Sequence, residues 1–291
     1  MMNGRPTLVL ISMGVILCAA PLFGKTHRGE GLVLAVDRQH ETATISHKEI
    51  PGYMPAMAME FRVAKGELLA GLRPGMRVRF SARVVDDEAV IENFTVLRAD
   101  PLESRASAPP AGMPRLNVGD TVPPFRLIAQ DGTHFDFNPA NGRLRLLQFI
   151  YTRCPVADVC PRLSANFAYL QKKFGPTIEL ISVTLDPKWD TPARLAEYAE
   201  RWRADTHNWK FLTGTDDEIR TLASRFGVLY WAEDGALTHS SVVAIIGPDG
   251  RVLAELEGSA YPVTELADLV SVQLARRDVP VRRSGNVEHG S

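Results

Sequence analysis

Three cysteines in 291 residues, a formal net charge of -1 and 8% aromatic residues are the scarcities of this sequence. With 33 basic against 34 acidic side chains there is no basic surplus, which argues against a nucleic-acid partner, since that would leave a basic face or stripe. Long apolar runs are lacking except at the start, where the stretch from Thr7 through Leu17 is uncharged and largely aliphatic until Pro21 interrupts it. That core is too short for a comfortable bilayer span, so residues 1–24 read as a secretory signal cleaved near Ala20 to Gly24; left uncleaved, it would be a membrane anchor. Cys18 falls inside it, preceded by Leu17 where a lipidated cysteine expects a small residue. There is no internal repeat. The 45% hydrophobic content and ordinary charge of the chain suit two modest folded domains.

What is present divides at a tether. From Gly31 to Leu97 five short segments rich in β-branched residues, 31–37, 42–47, 57–63, 76–85 and 89–97, read as strands. A helical turn near Lys65–Leu69 and the Arg73-Pro74-Gly75 turn fit a small all-β barrel of the OB type over 25–99. Residues 100–117 are rich in proline and alanine without periodicity, as a linker would be. After it strands alternate with helices: strand 144–151, helix 161–174, strand 178–185, helix 192–203 behind Asp190-Thr191, strand 210–212 and helix 216–226. A hairpin, 241–246 with 252–256, and a helix 264–276 close it. The expectation is an α/β thioredoxin-like fold over 118–277, followed by a polar tail, 278–291.

Export leaves Cys154 and Cys160 as a pair in an oxidising compartment. Cys154 follows a strand with Arg153 beside it, and Cys160 precedes a helix whose N-terminal dipole favours a thiolate. A stabilising disulfide is the plain alternative, but one closing a five-residue loop contributes little in the chain-entropy model. A redox dithiol or a metal-binding pair is therefore expected. His239, in Leu237-Thr238-His239-Ser240-Ser241, falls on a segment that packs near the first strand of such folds; two thiolates and an imidazole suit Cu(I), although a lone histidine can equally be a hydrogen-bonding residue.

Phe149-Ile150-Tyr151-Thr152-Arg153-Cys154-Pro155, Val159-Cys160-Pro161, Ser182-Val183-Thr184-Leu185-Asp186-Pro187 with Asp190-Thr191-Pro192, and Thr238-His239-Ser240 resemble the Sco (SenC) family from about Val118 to Arg276. The resemblance implies a copper-binding thioredoxin fold that serves cytochrome c oxidase, with Cys154, Cys160 and His239 as ligands and Asp186 beside the site. Asp186 before Pro187 also reads as a turn or capping residue. One departure stands out: the family has three residues between its cysteines, and here there are five. Copper binding requires the extra residues to bulge away so that the sulfurs still converge; otherwise the pair is chiefly a redox dithiol.

In the first domain His47 precedes Met54-Pro55-Ala56-Met57-Ala58-Met59. Met57 and Met59 are two apart, hence on one face of a strand, and His47 ends the strand before. Thioethers with an imidazole favour Cu(I) or Ag(I) over oxygen-loving ions, whereas methionines alone could be core fillers. Met-Pro-x-Met-x-Met behind a histidine resembles CusF-type periplasmic copper-binding domains, over about Gly29 to Leu97. That implies His47, Met57 and Met59 as ligands, with Met54 standing where CusF has a tryptophan, as a shield or fourth donor. His27, His40, His134, His207 and His289 show no coherent ligand spacing.

The sequence thus points to a periplasmic copper chaperone. Cu(I) would be captured by the methionine site and delivered through the Cys-Cys-His site, where Cu(II) is a second option. The acceptor would be a cytochrome c oxidase subunit or another periplasmic copper protein. The competing expectation is a thiol-disulfide oxidoreductase that keeps a partner's copper-site cysteines reduced. A peroxidase would need a peroxidatic cysteine motif, which is not found.

Overall fold

The computed structural model describes residues 25–85, 88–97, 114–233 and 236–277. The expected signal, the linker through residue 113 and the tail from 278 lie outside the described residues. Among those described, no helix is long and apolar enough to cross a membrane.

The N-terminal strands are β1 (Thr26–Asp37), β2 (Thr42–His47), β3 (Met57–Val63), β4 (Arg77–Val85) and β5 (Glu88–Leu97), closed into a barrel in the order β1-β2-β3-β5-β4. Alternation along each strand turns Val33, Ile45, Phe61, Val63, Val78, Phe80 and Ile91 inward to form its core. The β3–β5 contact is parallel, while the other pairings are antiparallel.

The second part contains β6 (Phe125–Ala129), β7 (His134–Phe137), β8 (Leu144–Ile150), α1 (Cys160–Phe174), β9 (Ile178–Thr184), α2 (Pro192–Arg201), β10 (Trp209–Thr213) and α3 (Asp216–Arg225). It continues with β11 (Tyr230–Glu233), β12 (Ala236–His239), β13 (Val242–Ile246), β14 (Val252–Glu257) and α4 (Val263–Arg277). A seven-stranded sheet runs β14-β13-β8-β9-β10-β6-β7, and β11 pairs with β12 alone. β8 and β9 are buried along their whole length, as strands covered on both faces are. Residues of α1, α2 and α4 pack on one side with Leu146 and Ile150; α3 packs on the other with Leu147 and Phe149. The reading of the sequence left out β6, β7, β11 and β12. The Asp131-Gly132 pair between β6 and β7 is a hairpin signal that would have found the first two.

The linker suggests a tether between independent bodies, and here the structure differs. β1 is shared: Val33 belongs to the barrel core, while Leu32 and Leu34, fully buried, belong to the core cluster that holds Leu266, Leu269 and Val270 of α4. Polar contacts close the seam. Arg77 pairs with Glu265, Ser46 Oγ donates to Asp268 Oδ2 at 3.1 Å, and Gln273 Nε2 donates to the carbonyl of Leu34 at 3.1 Å. Gly75, at φ 92°, brings its turn so near β14 that a Cβ there would lie 2.0 Å from the Glu255 carbonyl oxygen. Only glycine fits.

Because one strand serves both cores, the intact chain should melt in a single transition. Leu34→Ala should lower the stability of that whole transition by about 2–5 kcal/mol. Differential scanning calorimetry checks this; a second part melting at an unchanged temperature would contradict the shared core.

Candidate metal and dithiol site

β8 and β9 run parallel with Ile150 opposite Thr184, so the loops that follow them leave from the same sheet edge. Asp190, completely buried, ties these loops together. Its carboxylate accepts from the Thr152 backbone N–H at 3.0 Å, from the Thr152 hydroxyl and from the Thr184 hydroxyl. Burial pushes the Asp190 carboxyl up from its ordinary range, against these hydrogen bonds. Sequence reasoning assigned Asp190 only to a helix start; the cap of α2 is Thr191, which accepts from the Arg194 N–H, and Asp190 is the anchor beneath the cysteine loop.

The enlarged loop bulges and the sulfurs converge. Cys154 Sγ, Cys160 Sγ and one ring nitrogen of His239 lie within 4.8 Å of one another. Val159 N–H donates to the Val156 carbonyl at 3.1 Å, a turn that takes up the additional residues, and Ser259 Oγ pins this turn by donating to the Asp158 carbonyl at 2.8 Å. Cys160 begins α1 and is buried, whereas Cys154 is half-buried. His239 ends β12 with Nδ1 donating to the Ser240 carbonyl at 2.9 Å, and its Nε2 faces Cys160 Sγ at 3.2 Å. The carbonyl only accepts, so Nδ1 carries the proton and Nε2 offers its lone pair in the neutral ring. Tyr151 lies edge-on to the imidazole, 5.7 Å between centroids, and its hydroxyl donates to the Leu237 carbonyl at 2.9 Å.

Two expectations about charge are corrected. The helix start was to make Cys160 the thiolate, but the hydrogen bond to Cys154, burial and the neighbouring negative sulfur all raise its pKa. Cys154 is pulled down to about 3, first by the hydrogen bond from Cys160, against a desolvation penalty. Arg153 does not turn on the sulfur; its Nε binds Asp186 Oδ2 at 2.7 Å. Asp186 therefore holds the residue before Cys154, and its backbone carbonyl also accepts from Trp189 and Asp190, as a turn residue does.

In the barrel, His47 stands directly opposite Met57, and Met59 opposite Ile45. Met57, Met59, Phe61 and Val63 share one face that passes from 45% exposed at Met57 to buried at Phe61 and Val63, which places the thioethers where the core opens to solvent. Met54 bridges to Ile50 and packs against the core with Tyr53 and Met59. His47 Nδ1 donates to the Lys48 carbonyl at 2.7 Å, while its buried Nε2 has no hydrogen-bond partner among the described residues. A buried nitrogen lone pair left unpaired beside thioethers fits a soft metal ion as its missing partner.

Residues 114–273 match the SCO1/SenC family model, and residues 26–96 match that of the copper binding periplasmic protein CusF. The SCO1 protein homolog of Bacillus subtilis is 33% identical over 144 residues, 47% of this chain and 74% of that protein. Yeast Sco1 with copper bound is 27% identical, covering 58% of this chain and 92% of that one, at a TM-score of 0.45. BsSco, a member of the Sco family of cytochrome c oxidase assembly proteins in which a disulfide switch was identified, is 29% identical, covering 55% and 98%, at a TM-score of 0.47.

With Cys154 ionised far below the ordinary thiol range, iodoacetamide should alkylate it at pH 5 nearly as fast as at pH 8. An ordinary thiol would slow about a thousandfold over that span. Peptide mapping should place the label on Cys154 and spare buried Cys160; a normal thiol pH profile would contradict the assignment.

Proposed function

Because the chain belongs to the SCO1/SenC family, we propose that it is an exported copper chaperone whose two soft-donor sites handle Cu(I) for assembly of the copper centre of cytochrome c oxidase. In this reading the protein works in the periplasm, and its first part, residues 25–99, is a CusF-like barrel of the OB type. His47, Met57 and Met59 capture copper there, with Met54 as shield or fourth donor. Cys154, Cys160 and His239 form the delivery site in the thioredoxin-like part, 118–277, and accept Cu(II) as well as Cu(I). The recipient is a cytochrome c oxidase subunit or another periplasmic copper protein.

The observation that carries this reading is the convergence of two sulfurs and an imidazole nitrogen within 4.8 Å despite the five-residue spacing. Thiolate and imidazole donors at such spacing match the preference of Cu(I) for few, soft ligands. Each histidine has its Nδ1 committed to a backbone carbonyl, which presents Nε2 to the ion at no further orientational cost.

A thiol-disulfide oxidoreductase is the second reading, supported by the asymmetry of the pair. Half-buried Cys154 is the ionised sulfur, and buried Cys160 stands behind it as the resolving thiol. In that role Cys154 attacks a partner's disulfide, and Cys160 then displaces the partner thiol.

Anaerobic Cu(I) titration of the full reduced chain against a competing chelator tests the chaperone reading. The parent should bind about two equivalents, one at each soft-donor set. Cys154→Ser and His239→Ala should each remove one of them, and Met57→Ala with Met59→Ala the other. A His239→Ala protein indistinguishable from the parent would sink the Cys-Cys-His site and leave the dithiol to redox chemistry.

A further inference from the structure

Either role of Cys154 requires a second macromolecule to reach its sulfur, and the residues that flank it in the chain, with the ring that one of them stacks on, have an unusual make-up. Trp189 is left 40% exposed, and two guanidiniums stack on its ring, Arg153 at 4.8 Å and Arg194 at 3.8 Å from the centroid. Arg153 immediately precedes Cys154 in the chain. Val156, 50% exposed, lies beside the same sulfur, its carbonyl 3.8 Å from Cys154 Sγ.

The backbone of Trp189 is anchored on both sides. Arg194 Nη1 donates to the Trp189 carbonyl at 2.7 Å, and Trp189 N–H donates to the Asp186 carbonyl at 3.0 Å. An indole with two guanidiniums over its ring, one of them from the residue that precedes the reactive cysteine, has the composition of an interface hot spot. The charge has a sign. Arg153 is matched by the nearly buried Asp186, whereas Arg194 has no carboxylate partner among the described residues.

Resting on the reading of Cys154 as the working sulfur, we infer that Trp189, Arg153, Arg194 and Val156 form the docking platform for a partner segment that carries its sulfur beside carboxylates. The indole and Val156 take the apolar contact of that segment, and Arg194 takes the acidic charge. The platform thereby selects among sulfur-bearing partners before any sulfur chemistry occurs.

The test uses the full reduced chain and two synthetic peptides, each with one cysteine held as a mixed disulfide with thionitrobenzoate, one flanked by glutamates and one by lysines. The Cys154 thiolate attacks the peptide sulfur, a protein–peptide disulfide forms, and thionitrobenzoate leaves with the electron pair and is read by absorbance. Cys160 then attacks Cys154, so the protein dithiol is oxidised by two electrons as the mixed disulfide is reduced to two thiols. At low salt the glutamate peptide should react about tenfold faster than the lysine peptide, and the preference should shrink at high salt. Arg194→Glu should abolish or reverse the preference, and Trp189→Ala should slow both peptides about fivefold or more.

Reaction with neutral dithiodipyridine, too small to use the platform, should be the same in parent and variants. A parent without charge preference, or a Trp189→Ala protein as fast as the parent, overturns the platform. So does a Trp189→Ala loss shared by dithiodipyridine, since it places the defect at the sulfur. A parent unreactive even to dithiodipyridine instead refutes Cys154 as the working sulfur.

Discussion

A single buried carboxylate governs the geometry of the dithiol site. Asp190 binds Thr152, two residues beyond β8, and Thr184, at the end of β9, and so clamps the two loops that parallel pairing delivers to one sheet edge. Burying a carboxyl is unfavourable unless its oxygens are satisfied, and three donors satisfy them here. With Thr152 held, the chain must enter the cysteine loop at a fixed place. The added residues turn outward, through the Val156–Val159 turn and the Ser259 clasp. Convergence of Cys154 with Cys160 therefore depends on residues that touch neither sulfur.

The electrostatics of the pair follow from that convergence. Two thiols that meet across a partly buried space cannot both ionise, so one proton is retained between them. It stays on Cys160, the deeper sulfur, and the charge goes to Cys154, nearer to solvent. This suits both proposed roles, because the half-buried thiolate is at once the copper donor nearer to a recipient and the nucleophile nearer to a disulfide.

β1 imposes the other constraint. Its two faces enter different cores, Val33 in the barrel and Leu32 with Leu34 against α4. The end of β2 beside His47 is consequently seated on the α/β part: Ser46 is bonded to Asp268 of α4. In the proposed copper role, exchange between the two candidate sites would be an event on one packed body rather than an encounter of tethered domains. This changes what a long linker implies, since effective concentration matters only for parts free to separate.

Residue type and local periodicity determined much of this protein. The five barrel strands, the alternation around β8 and β9 and the four helices were legible because each is signalled by its own neighbours, whereas the candidate donors His47, Met57, Met59, Cys154, Cys160 and His239 were singled out with the help of the family resemblances. The short strands β6, β7, β11 and β12 were not read, since four or five residues carry little periodic signal beside a loop. Only the tertiary structure decided whether a six-residue step from Cys154 to Cys160 closes on His239, 79 residues further along. It also decided which sulfur is charged, where Arg153 points and that β1 serves two cores. The reason is that distance and burial arise from segments far apart in the chain, and no local pattern records how those segments meet.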